Sequence, residues 1–256
     1  MVRVLLHGYG RIGRTVETII KKDRSLKIVG IIDKNNINDL EKFVPESDII
    51  VDFSHSSALK NLLDIAISHR KRVLIGTTGF SKEQINMVNN AANYIAILLA
   101  PNTGFAANII AYLSSILKRK IDYLNSSFSY DNHQYQEKKD EISDRSQYNI
   151  DIIDYHHRYK KDSPSGTSIM IKDEINSNDI SSDSHKNTIN IHSIRSGGIY
   201  GQHDIIFSDD NNIIKLSTSA INREAFAKDA LLAIKWLNNY TKKKGVYSMK
   251  DVLNLY

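Results

Sequence analysis

The chain of 256 residues contains no cysteine. Disulfides, thiolate nucleophiles and cysteine-held metals are therefore excluded, and with them every thiol-dependent aldehyde dehydrogenase. Long hydrophobic runs are also absent, since none approaches the roughly eighteen residues of a membrane span. The start Met1-Val2-Arg3-Val4-Leu5-Leu6-His7-Gly8 meets glycine and arginine too early for a signal peptide. A cytoplasmic protein with no membrane partner is expected. An excess of one charge is lacking too: 34 Lys and Arg stand against 29 Asp and Glu, a net +5. Acidic residues are interspersed throughout and no long basic arm stands out, so anionic small ligands are favoured over nucleic acid. The length suffices for one large or two modest domains.

What is present begins with a continuous apolar run, Val2 to Leu6, as expected of a parallel strand buried on both faces. It flows into Gly8-Tyr9-Gly10-Arg11-Ile12-Gly13, then a helical pattern of Ile12, Val16, Ile19 and Ile20, then a second strand, Leu26 to Ile32, that ends on Asp33. Strand, glycine turn, helix, strand and an acid twenty positions after the third glycine make a dinucleotide fingerprint in its proper setting. The turn offers bare backbone and a helix N-terminus to a diphosphate, and Asp33 offers a carboxylate to the adenosine ribose. Lys34 beside it could offset repulsion of a 2′-phosphate, so either NADH or NADPH is open as cofactor, with NADH favoured. The alternation continues with strands over 48–53, 72–75 and 94–99 and helices over 57–69 and 81–92, the latter opened by a Ser81-to-Gln84 capping box. Small or polar residues follow each strand, notably Gly76-Thr77-Thr78 and Ala100-Pro101-Asn102-Thr103. Ligands of open α/β sheets lie at those carboxyl ends, which makes these turns the expected walls of a nicotinamide site.

A helix from Ala106 to about Lys118 leads onward, and 124–148 turns polar, with His133 a lone histidine more simply exposed than a ligand. The densest chemistry comes next, in Asp154-Tyr155-His156-His157-Arg158-Tyr159-Lys160-Lys161-Asp162-Ser163-Pro164-Ser165-Gly166-Thr167. Ser163 suits an N-cap, Pro164 the first helical position, and Ser165-Gly166-Thr167 a first turn whose backbone N–H groups suit a carboxylate. Ile169, Ile171 and Ile175 are expected on the buried side of that helix, with Lys172, Asp173 and Glu174 in solvent. Ile150 to Ile153 reads as a strand delivering His156 and His157 to the same mouth. The plainer alternative is a pair of edge-strand histidines beside a solvated lysine pair. Three further strands, over 188–195, 203–207 and 212–219, argue for a separate α+β domain with a mixed or antiparallel sheet, distinct from the Rossmann-type parallel one. A long helix from Arg223 carries Leu231, Ile234, Trp236 and Leu237 as its apolar set, with Trp236 read as core packing. The expected division is 1–104 with 220–256 for the dinucleotide, and 105–219 for substrate and assembly.

The His-His and Ser-Gly-Thr stretch, with Gly-Thr-Thr-Gly-Phe at 76–80 and Ala-Pro-Asn-Thr-Gly at 100–104, resembles the 4-hydroxy-tetrahydrodipicolinate reductase (dihydrodipicolinate reductase) family. Asp154 stands for the family's Glu, Ser163 and Ser168 for Ala, Gln202 for Glu, Thr218 for His and Asp229 for Gly, and 124–148 is an apparent insertion. The resemblance implies NAD(P)H-dependent reduction of a cyclic dicarboxylate in lysine and diaminopimelate biosynthesis. It casts His156 as general acid with Lys160 as its partner, His157, Ser165, Gly166 and Thr167 as substrate contacts, and Gly8, Tyr9, Gly10, Arg11, Ile12, Gly13, Asp33, Lys34, Gly76, Thr77, Thr78, Ala100, Pro101, Asn102 and Thr103 as the cofactor site. It leaves Arg195 and His203 in supporting or structural roles. It implies no metal and a homotetramer assembled through the second sheet. Two rivals stand beside it: an amino-acid or homoserine-type dehydrogenase of similar domain order, and a non-enzymatic NAD-sensing or nucleic-acid-binding protein.

Overall fold

A computed structural model describes residues 1–130, 148–177, 188–222, 224–240 and 244–256. Two compact units emerge, the first Met1–Phe105 with Asn222–Tyr256 and the second Ala106–Ile221.

In the first unit β1 (Val2–His7), α1 (Arg11–Ile20), β2 (Leu26–Ile32), α2 (Leu40–Phe43), β3 (Ile49–Asp52), α3 (Leu59–Ser68), β4 (Arg72–Ile75), α4 (Lys82–Ala91) and β5 (Ala96–Leu99) alternate along the chain. Successive strand residues point to opposite faces. Val4, Leu6, Ile49, Val51, Leu74 and Leu98 accordingly join one core, while Leu5, Ile50, Val73, Ile75 and Ile97 join another on the far side of the sheet. That double burial explains the near-unbroken apolar runs in these strands. The expected capping box is present at Ser81, whose hydroxyl accepts from the Gln84 amide at 3.2 Å.

The chain leaves through α5 (Phe105–Tyr130), which runs past the expected stop at Lys118. Ile121 prolongs the apolar stripe and is buried, and buried Lys118 is matched one turn on by Asp122 at 2.7 Å. The polar segment expected from 124 therefore begins as helix, and His133 with the rest of it lies outside the described residues. The second unit continues with β6 (Asn149–His156), α6 (Gly166–Asn176), β7 (Ile189–Arg195), β8 (Gln202–Ser208) and β9 (Ile213–Ser219). Strand order is β7-β6-β8-β9, with β6 and β7 parallel and the other pairs antiparallel. The sheet is thus mixed, and β6 is interior. Its core joins Ile150, Ile152, Ile205 and Phe207 to Ile171 and Ile175.

Back in the first unit come α7 (Glu224–Tyr240), β10 (Gly245–Tyr247) and α8 (Met249–Leu253). β10 completes an all-parallel sheet of order β10-β5-β4-β3-β1-β2. Trp236 packs against the core and meets the Tyr247 ring edge-on at 5.5 Å. The strand order reverses between β1 and β3, the place where such sheets open a crevice at their carboxyl ends. Among the described residues no helix is long and apolar enough to cross a membrane.

Candidate active site

In the first unit the chain reverses over Gly8-Tyr9-Gly10 between β1 and α1. Gly8 has φ +95, and a Cβ there would lie 2.4 Å from the Phe53 carbonyl carbon. A Cβ on Gly13 would lie 2.1 Å from the Gly8 oxygen. Packing alone therefore requires glycine at both positions. Gly10 differs, for its Cβ would meet nothing within 4 Å, and it caps α1 without any side-chain bond. The first-turn amides of α1, from Arg11 to Gly13, thus face a surface cleared of side chains, which suits a diphosphate. The Tyr9 hydroxyl donates to Glu17, and the Arg14 guanidinium lies 4.8 Å from the Tyr9 ring centre. Ile12 packs into the core instead. After β2, Asp33 accepts from the Asn35 amide at 2.8 Å, and Lys34 is exposed.

Gly76 follows β4 with no room for a side chain, since its Cβ would lie 2.1 Å from the Phe53 ring. Thr77 is buried and Thr78 exposed. In the last turn Ala100 is buried and Pro101 exposed, while Asn102 Oδ1 accepts from the Gly104 amide at 2.8 Å. The Thr103 hydroxyl is committed to the Phe226 carbonyl at 2.9 Å.

In the second unit β6 alternates strictly, and Ile150, Ile152, Asp154 and His156 share its buried face. A carboxylate and an imidazole on such a face must find partners. Asp154 accepts from the Arg195 guanidinium, from the Ser165 amide at 2.7 Å and from the Ser168 hydroxyl at 2.9 Å. Burial alone would raise its carboxyl, but these donors overcome burial and hold it well below the usual carboxylate range. His156, 8% exposed, has its Nδ1 3.7 Å from Asp154 and no hydrogen-bond partner there. Burial first, then the Lys160 charge, hold its imidazole down to about 4. His203 lies edge-on to it at 5.4 Å, contacts Ser165 Oγ through Nε2 at 3.2 Å, and is likewise held to about 4, chiefly by burial and then by His156. Lys160 extends to Asp162 at 2.8 Å. His157 follows the strand and keeps a buried Nδ1 without a protein partner.

Several expectations need correcting. His156 ends the buried row of β6, and His157, the next residue past the strand, is partly buried. Helix α6 is capped by Ser165, whose hydroxyl accepts from the Ser168 amide at 3.2 Å, and Ser163 and Pro164 precede the helix. The cause is Asp154, which holds the Ser165 amide in extended backbone (φ −70, ψ 152) where a cap must be. Ile169 is 45% exposed because two positions along a helix is more than half a turn, so it cannot share a face with Ile171; Ser168 takes the buried place. Lys172 donates to the Ile189 carbonyl at 3.1 Å and is not left to solvent. Burial and the Lys160 charge hold His156 below the near-neutral range usual for a general acid.

The sequence reading missed Asp154 and Asp162 as supporting groups. For Asp154 the signal was available: a carboxylate on the same beat as Ile150 and Ile152. Among the described residues no group of three or more His, Asp or Glu could hold a metal ion.

Residues 2–103 match the family described as "Dihydrodipicolinate reductase, N-terminus", and residues 135–253 match "Dihydrodipicolinate reductase, C-terminus". The chain is 32% identical over 266 residues to a protein of Rickettsia canadensis named 4-hydroxy-tetrahydrodipicolinate reductase, covering 100% of each. It is 32% identical over 273 residues to a protein of the same name from Caldanaerobacter subterraneus, covering 99% of this chain and 98% of the other. Among solved structures it is similar to the dipicolinate-bound dihydrodipicolinate reductase of Paenisporosarcina sp. TG-14, with a TM-score of 0.68 at 20% identity, covering 97% of each chain.

Proposed function

The chain belongs to the dihydrodipicolinate reductase family, and on that premise we propose that it reduces 4-hydroxy-tetrahydrodipicolinate with a nicotinamide dinucleotide on the route to diaminopimelate and lysine. It is an oxidoreductase of the Rossmann type. The observation that carries the substrate assignment is the carboxyl end of β6, where a buried imidazole, an ammonium and the capped start of α6 converge on chemistry suited to carboxylates. The family match over both halves of the chain weighs against a homoserine-type dehydrogenase or a sensor. The test is oxidation of NADH while the product of the preceding step is generated in situ, with pyridine-2,6-dicarboxylate as inhibitor. Turnover inhibited by that dicarboxylate is expected, and no turnover sinks the proposal.

The residues present fit a dinucleotide, because the turn is bare at Gly10, where a Cβ would meet nothing within 4 Å, and it opens a helix whose first turn has no side-chain cap. When bound, the reduced nicotinamide supplies a hydride to the substrate ring. Gly8 to Gly13 bind the diphosphate and Asp33 the ribose. His157, Lys160 and the Ser165-Gly166-Thr167 turn hold the two substrate carboxylates. Loss of the 4-hydroxyl as water leaves a conjugated imine, hydride added at its far carbon leaves an electron-rich enamine that must gain a proton, and His156 is the residue we assign to give it, with Lys160 as partner. The lowered titration of His156 is compatible with this, because a dianion beside it offsets the Lys160 charge and favours the protonated form.

NADH is preferred with NADPH accepted, since the Asp33 carboxylate repels a 2′-phosphate and exposed Lys34 offsets part of that. The enzyme is a homotetramer built through the second sheet, supported by the side chains of Ile194 and Ile213, 40% and 74% exposed. Light scattering that returns a monomer overturns the latter.

A further inference from the structure

We propose that Asp52 is a positioning residue that fixes the Thr77 hydroxyl as a hydrogen-bond acceptor for the amino group of the nicotinamide carboxamide, an inference that rests on the nicotinamide reading above. His7 and Asp52 are register partners at the carboxyl ends of β1 and β3, the two strands where the sheet order reverses. Both residues are 1% exposed, and Thr77 after β4 is 6% exposed. Such burial of polar groups is costly unless every one is bonded, and here the bonds converge on one carboxylate. Asp52 Oδ1 is bonded to His7 Nδ1 at 2.8 Å, to the Ser54 hydroxyl at 2.5 Å and to the Ser54 amide at 3.3 Å, and Oδ2 to the Thr77 hydroxyl at 2.6 Å.

A carboxylate only accepts, so Thr77 must give its proton to Asp52. What Thr77 has left for any other group is a lone pair. The strand order then says what that group is. With the ribose at Asp33 after β2 and the diphosphate at the turn after β1, the remainder of an extended dinucleotide runs over the ends of β3 and β4. The carboxamide carries one acceptor, its carbonyl oxygen, and one donor, its amino group. An acceptor-only Thr77 pairs with the amino group alone, which fixes how the carboxamide is turned. Asp52 itself touches no ligand; it acts through Thr77, and it ties the turn after β4 to β1 and β3.

The test compares two reduced dinucleotides that differ at that group, NADH and its 3-acetylpyridine analogue, in which a methyl replaces the amino group. Affinities for the full chain are measured by fluorescence titration for wild type, Thr77→Val and Asp52→Asn, with melting curves to confirm folding. Wild type is expected to prefer NADH by about tenfold. Thr77→Val, with no lone pair to offer, should lose that preference to within about twofold. Asp52→Asn should lose it as well, because an amide can donate to Thr77 and release its proton outward. Equal affinities in wild type, or a preference that survives Thr77→Val, overturn the proposal while leaving the nicotinamide reading intact. If Asp52→Asn does not fold, the wild-type and Thr77→Val ratios decide alone. A wild type that binds neither dinucleotide overturns this proposal and the reading on which it rests.

Discussion

The turn before α1 and the turn before α6 both offer a helix N-terminus to an anion, yet they are made of different material. The first is bare backbone: its cap, Gly10, contributes no side chain, and Gly8 and Gly13 exist to let the chain fold on itself. The second is a side-chain construction. Ser165 caps α6, its own amide is held by Asp154, and Asp154 also binds Arg195 and Ser168 beneath buried His156. A diphosphate needs close approach and many amides, which glycine provides; a reacting dicarboxylate needs charges and a proton placed to order, which requires a buried network. The difference teaches that the first site fails sterically and the second electrostatically, and each prediction below separates the two.

The largest effect on cofactor binding is expected from Gly8→Ala, which places a Cβ against the Phe53 backbone at positive φ. NADH affinity should fall at least about 100-fold, which is nearly 3 kcal/mol, while binding of pyridine-2,6-dicarboxylate is kept. Paired titrations check this, and unchanged NADH affinity would remove the turn from the cofactor site. Lys160→Ala should lower kcat/KM by roughly 10- to 100-fold through both parameters, as expected for loss of a charged hydrogen bond. Thr167→Val should act mainly on KM, since the backbone donors stay. Steady-state kinetics distinguishes these patterns.

Acid should destabilise the second unit before the first. Burial holds His156 and His203 near 4, whereas an unfolded histidine titrates near 6.5. Between those values the unfolded chain binds protons that the folded one refuses, so stability is complete above about pH 6.5 and is lost as pH falls toward 4. Asp154, held below the usual carboxylate range, contributes its loss only in stronger acid. On the order of 2 kcal/mol should be gone at pH 5, read as faster hydrogen exchange in β6 and β8 than in β1 and β3. Equal acceleration in both sheets would contradict the assignment. The smallest effect concerns Asp33: a preference for NADH over NADPH of about tenfold in kcat/KM, needing only about 1.4 kcal/mol. A strong preference for NADPH would strip Asp33 of its role.

The same contrast explains how much of the molecule could be read from residues alone. The glycine turn is contiguous in the chain, so Gly8, Gly10 and Gly13 with their flanking strands were visible as a unit, as was the Ser81 capping box. Near-continuous apolar runs separated by helical patterns likewise marked the parallel sheet. Long-range pairing is not local. Nothing near Ser163 announces that Asp154, eleven residues before Ser165, will hold the Ser165 amide and move the cap of α6 by two positions. Nothing near His7 announces Asp52, forty-five residues away, as its partner. The helix expected over 106–118 runs on in the structure, where buried Lys118 finds its partner, Asp122, one turn further, a pairing that residue type alone does not announce. The fold and the ingredients of the site were therefore legible, Asp154 among them as a carboxylate on the buried beat of β6, but the partners of Asp154 and Asp52 were not.

The central claim, that the first unit serves the cofactor and the second the proton and the dicarboxylate, is tested most directly by His156→Gln, with kcat and the dissociation constant of NADH measured on the same preparation. The account predicts a kcat lower by roughly 10² to 10⁴, the usual range for general acid catalysis, with NADH affinity unchanged. A variant that turns over near the wild-type rate but binds NADH poorly would contradict it.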